Sequence, residues 1–138
     1  MSQIITKHTG GMAFDTVVDG HTLTIDADPD FGGKDTGPKP KPLILLSLSG
    51  CTGMDVVSLM NKMRVEYDEF EVKVDAVLTD EHPKYYHTVI VDYHFYGTNL
   101  KEGKIKKAVD LSVEKYCGVM AMFRKFSNVK IIIHYHNN

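Results

Sequence analysis

The sequence predicts an α+β fold with antiparallel or mixed sheet, laid out as a single domain over residues 1–138. Three observations predict it. Strand-like runs are separated by only two helical regions, whereas a doubly wound sheet alternates strand and helix throughout. Two segments, "FEVKVDAVL" at 70–78 and "HTVIVDYHFYG" at 87–97, alternate apolar with polar residues, the signature of strands that keep one solvated face. Between the strand-rich blocks, "LILLSLSGCTGMDVVSLMNKMR" from 43 to about 64 is apolar nearly all round in its first half, the mark of a buried helix. With 138 residues, 43% apolar and 25% charged, the chain has material for one compact core and is too short for two full-sized domains.

Residues 4–27 read as short extended runs that split at Asp19-Gly20, a dipeptide that closes two-residue hairpins, so a strand is expected on each side of it. "DPDFGGKDTGPKPKP" follows with four of the five prolines and three glycines; it is expected to be a loop, and a loop this long in a small domain is often functional. Pro42 stands where a first helical turn accepts proline, opening the long apolar helix. That helix is not expected to span a membrane. Ser47, Ser49, Gly50, Thr52 and Gly53 interrupt it, and Asp55 ends the uncharged run after about a dozen residues, short of the roughly 20 a span needs. A chain of this length has little with which to cover such a helix, so a homodimer is expected, with residues 43–63 between subunits or beneath both sheets. The strands at 70–78 and 87–97 should pair across "TDEHPKYY". An amphipathic helix over 101–116, a second short one in "VMAMFRKF", and a β-branched closing strand "VKIIIHYH" complete the order.

Charge narrows the function. Sixteen Lys plus Arg against 18 Asp plus Glu leave a net charge of −2, so neither a nucleic-acid nor an anionic-membrane partner is indicated. Only Arg64 and Arg124 can supply a guanidinium. No N-terminal apolar run suggests secretion, and Cys51 and Cys117 form neither a C-x-x-C nor a Cys-rich framework, which points to a reducing, cytoplasmic compartment. "FGGKDTG" lacks the spacing and context of a phosphate-binding loop, and no cofactor is expected.

Cys51 and Cys117 admit three readings: inert buried thiols, a redox-active dithiol, or half of a metal site. A thiolate needs a nearby cation, a helix N-terminus or a metal. Cys51 lies too far along its helix to use that helix's own dipole, so a side-chain cation must serve it; Cys117, between two helical segments, is better placed for a dipole effect. The stretch "TGPKPKPLILLSLSGCTGMDV" resembles the G-P-x-P-x-x-L-L-L-x-x-L-x-x-C-x-x-M-D-V pattern of the OsmC family, the osmotically inducible and organic hydroperoxide resistance proteins. "VEKYCGVMAMF" is similar to that family's second motif, E-K-Y-C-P-V. Both come in family order, and the resemblance covers essentially the whole chain.

The resemblance implies an intertwined α+β homodimer, with sheets around a long central helix and the two cysteines of each subunit close together. It implies that Cys51 attacks the O–O bond of an organic hydroperoxide, that Cys117 condenses with the sulfenic acid to a disulfide, and that a dithiol reductant restores the pair. An apolar surround suits a fatty or aromatic peroxide. Departures accompany the likeness. Active relatives hold the thiolate with an N-terminal arginine and a glutamate ahead of the cysteine helix. Here no Arg precedes Arg64, Pro42 stands in the glutamate's place, and Gly118 replaces the usual proline. Lys7, His8, Lys39 or Lys41 could supply charge, without the guanidinium fork. These departures define the alternative: a non-catalytic OsmC-like domain that binds an apolar small molecule and keeps its cysteines as packing residues.

The remaining candidates are weaker. His134 and His136, at i and i+2 of the closing strand, share a face, but two ligands are fewer than a stable zinc site needs, so no metal is assigned; His82, His87 and His94 are read as loop or solvated residues. Asp55, one turn beyond Cys51, would raise the pKa of a neighbouring thiol. Met54, Met60, Met63, Met120 and Met122 fit a core, or the lining of an adaptable pocket.

Overall fold

The computed structural model describes residues 1–138 and has the expected α+β composition: six strands in two sheets and three α-helices. It divides into two compact units, Met1–Leu46 and Ser47–Asn138.

In the first unit, β1 (Thr6–Gly10), β2 (Ala13–Val18) and β3 (His21–Ile25) form an antiparallel sheet in the order β1-β2-β3. Asp19 and Gly20 close the expected hairpin with φ of 50° and 82°, the two positive values a type I′ turn requires. The long loop is tied down by its own side chains. Asp26, only 4% exposed, accepts from the backbone N–H groups of Ala27 (2.8 Å), Lys34 (3.1 Å) and Thr36 (3.2 Å) and from the Thr36 hydroxyl (2.7 Å). Those donors, the Thr36 hydroxyl first, pull its carboxyl down to about 2. Asp28 caps a 3₁₀ turn at Pro29–Phe31 and pairs with Lys39 at 3.0 Å. Gly33 and Gly37 are needed here: a Cβ on them would stand 1.8 Å from the Ala27 carbonyl oxygen and 2.1 Å from that of Thr24.

In the second unit, β4 (Glu69–Leu78) pairs antiparallel with β5 (Tyr86–Gly97), and β6 (Asn128–Asn137) lies parallel on β5's other side. The sheet is therefore mixed. The parallel pair needs a long crossover, supplied by α2 (Glu102–Leu111), one π-helical turn (Ser112–Tyr116) and α3 (Gly118–Phe126). Alternation along β5 buries Val89, Val91, Tyr93 and Phe95 completely, and α2 and α3 add Ile105, Ala108, Val109, Met120 and Phe123 to the same core.

The long helix α1 (Pro42–Lys62) departs from expectation in two respects. Within one chain it is buried along a single row, Leu48, Thr52, Val56 and Met60, spaced four apart, while Met54 is 76% exposed. A helix packed on one side can cover only one stripe. The row faces the sheet: Thr52 bonds to Tyr93, and a Cβ at Gly53 would touch the Val72 side chain at 3.6 Å. Moreover, at 21 residues and mean hydropathy 1.7, α1 is long and apolar enough to cross a membrane by length and composition. A single charge does not disqualify it; packing of its buried row against β5 is what makes it a core helix. Its C-terminus closes with Arg64 at φ 56°, where Val65 N–H donates to the Met60 carbonyl at 3.0 Å. The Arg64 side chain is exposed.

Candidate functional site

The two cysteines meet in the second unit. Cys51 is half-buried on α1, next to the buried Thr52. Cys117 owes its place to the π-helical turn: its N–H reaches back five residues to the Ser112 carbonyl (2.8 Å), after which the chain extends (φ −76°, ψ 102°) and restarts as α3. Cys117 is the N-cap of that helix, its Sγ accepting from Met120 N–H at 3.3 Å. The dipole position expected for Cys117 is therefore realised, yet the balance goes the other way. Burial, then the neighbouring Cys51 sulfur and Asp55, outweigh the Met120 donor and push the thiol up to about 11. Cys117 is a protonated thiol at neutral pH.

The Sγ atoms of Cys51 and Cys117 and a carboxylate oxygen of Asp55 all lie within 4.8 Å of one another. Closing from there to a disulfide at about 2.05 Å needs side-chain rotation, not refolding. The same three atoms could hold a metal ion, but a thiol pushed up to about 11 is costly to deprotonate as a ligand.

A buried hydroxyl chain supports Asp55. Tyr93, Thr52 and Ser112 are fully buried, with Thr52 Oγ1 2.7 Å from Tyr93 Oη and 2.8 Å from Ser112 Oγ. Ser112 Oγ donates to Asp55 Oδ2 at 3.1 Å. Each hydroxyl has one proton, so the carboxylate fixes the direction: Tyr93 donates to Thr52, Thr52 to Ser112, and Ser112 to Asp55. Burial pushes Tyr93 up to about 12, which keeps it a donor. Sequence reasoning missed this chain, whose members are 41 and 60 residues apart.

A cavity of about 280 Å³ opens beside Cys117, lined by Val113, Ala121, Lys115, Arg124 and Lys125 among others. Glu114 lines it too, so apolar and charged side chains share the cavity, and the methionines do not line it: Met60 and Met120 are in the core, Met54 and Met122 exposed. Arg124 was legible, since positions 117, 121 and 124 share one face of a helix starting at Cys117. The basic residues expected to help, Lys7, His8, Lys39 and Lys41, belong to the first unit, where Lys39 is paired with Asp28 and His8 bonds to the Gly11 carbonyl at 2.8 Å. His134 and His136 stand on β6, apart from the cysteines.

Comparison with known proteins identifies the family. The family model described as "OsmC-like protein" matches residues 32–132, which include both cysteines. The chain belongs to the OsmC-like protein family. Among the relatives of this OsmC-like chain, Protein YhfA of Escherichia coli K12 is 33% identical over 110 residues, 80% of this chain and 79% of YhfA. A hypothetical protein from Aquifex aeolicus VF5 superposes with a TM-score of 0.87 at 25% identity, covering 100% of this chain and 98% of that one. An organic hydroperoxide resistance protein OsmC from Legionella pneumophila shares the fold, with a TM-score of 0.70 at 18% identity over 97% and 98% of the two chains.

Proposed function

We propose that this OsmC-like protein is a thiol-dependent peroxidase, reducing organic hydroperoxides through a Cys51/Cys117 dithiol–disulfide cycle in a reducing cytoplasm. The observation that carries the reading is the closeness of the two sulfurs, with the more exposed Cys51 beside a buried, protonated Cys117. The Cys51 thiolate attacks the peroxide oxygen; the O–O bond breaks, the alcohol leaves with a proton from solvent, and Cys51 becomes a sulfenic acid. Cys117 sulfur then attacks Cys51 sulfur, and the sulfenic oxygen departs as water with the Cys117 proton. An external dithiol reduces the disulfide and is itself oxidised. Arg124, at the cavity beside Cys117, supplies the guanidinium that no N-terminal residue provides.

The test is consumption of cumene hydroperoxide with a dithiol reductant. Wild type should turn over; Cys51→Ser should not; Cys117→Ser should stop after one turnover with a sulfenic acid that dimedone traps. Arg124→Gln should lower kcat/KM about 10²-fold. Undiminished turnover in Cys51→Ser rejects the cycle, and no turnover by wild type rejects it in favour of the non-catalytic alternative, a domain that binds an apolar small molecule with structural cysteines.

A further inference from the structure

The outward face of the second sheet carries a cluster the cysteine chemistry does not use. The parallel register sets His94 opposite His134 and Tyr96 opposite His136, and Asp92 lies two residues before His94 on the same face of β5. His94 Nδ1 is 3.0 Å from His136 Nε2, and His134 Nε2 is 2.7 Å from Asp92 Oδ1. Single donor atoms of Asp92, His94 and His134 all lie within 4.8 Å of one another. We propose that Asp92, His94 and His134 form a binding site for a borderline first-row divalent cation, with zinc the expected ion and His136 orienting His94.

The donor set, two imidazoles and a carboxylate with a position left for water, is one that zinc and its neighbours nickel and copper select. The spacing fits as well. Two donors about 2.0–2.1 Å from a tetrahedral ion stand about 3.3 Å apart, and the three donor atoms here lie within 4.8 Å of one another, so side-chain rotation brings them to one ion. His136 engages His94 Nδ1 at 3.0 Å and so orients its ring. His94 stacks on His134 at 4.2 Å and 6°, so the two rings turn about χ2 for their in-plane lone pairs to meet one ion. Surrounding charge favours a cation. Glu71 lies across from His94 and accepts from the Tyr96 hydroxyl at 2.9 Å, Glu69 lies across from Tyr96, and Lys73, across from Asp92, is paired with Asp75 at 3.1 Å. Paired strands also hold the donors more firmly than a loop would.

Calorimetric titration with zinc chloride tests the site. Wild type and the Cys51→Ser/Cys117→Ser variant should both bind one equivalent here, and His94→Gln/His134→Gln should bind at least about 100-fold more weakly. Cobalt substitution in wild type gives a readout that needs no His variant to fold: d–d bands are expected without the thiolate charge-transfer band that the cysteines would produce. No zinc uptake by wild type, loss of all uptake in the cysteine variant, equal affinity in a folded His variant, or a thiolate band as the sole cobalt signature each overturns the proposal.

Discussion

The pair of sulfurs differs most in access and protonation. Cys117 is 3% exposed and held up at about 11, whereas Cys51 is half-buried. Iodoacetamide at pH 8, followed by peptide mass spectrometry, should therefore label Cys51 well before Cys117 in the native protein, and the difference should vanish in denaturant. Asp26 gives a pH prediction of definite sign. Its folded pKa, about 2 against 3.8, is depressed, so its contribution is present above 3.8 and lost as pH falls through that window toward 2. Asp26→Asn should lower stability at pH 7 and flatten the acid limb of a denaturation curve between those values. Ser112→Ala would leave buried Thr52 and Asp55 each short of a partner, at a cost of about 1–3 kcal/mol by urea denaturation. Of these residues only the cysteines and Asp55 were legible, because motif and helical spacing are local signals. Tyr93, Thr52 and Ser112 carry no sequence signal that separates them from ordinary strand and helix residues.

At the scale of elements, the alternating strands and the Asp19-Gly20 hairpin were legible because pleat and turn act on neighbouring residues. β1 lies within the extended runs expected over residues 4–27, but its bounds were not legible: "TKHTG" has no apolar alternation, is exposed throughout, and is a strand because β2 pairs with it. The break at Cys117 was readable between the helix over 101–116 and the short one after it, but the π-helical turn at Ser112–Tyr116, which seats Cys117 as a cap, was not. Gly118, the departure from the family proline, is not demanded by space, since a Cβ there would meet nothing within 4 Å. Gly118→Ala should be neutral or stabilise by up to about 1 kcal/mol in thermal unfolding. Gly33→Ala should do the reverse and loosen the Asp26 loop, given the 1.8 Å approach to the Ala27 carbonyl oxygen.

For the whole molecule, the question is what covers α1. A row of four buried residues faces the sheet while Met54 remains 76% exposed, so the rest of the helix offers apolar surface to a second copy. We propose the homodimer on that ground. Light scattering should give twice 15.5 kDa for wild type, and Met54→Glu should shift it toward the monomer while leaving circular dichroism unchanged.

The sequence by itself determined the α+β class, the strand alternation, the hairpin, the long apolar helix and, through two cysteine motifs, the family. Only the tertiary structure decided that α1 buries one row, that a hydroxyl chain backs Asp55, that a cavity flanks Cys117, and that Asp92, His94, His134 and His136 share one sheet face. The physical reason is range. Periodicity and turn chemistry act between residues a few positions apart, whereas His94 meets His136 across 42 residues only because β5 and β6 pair in parallel at one register. A slip of one residue would send those imidazoles to the opposite face.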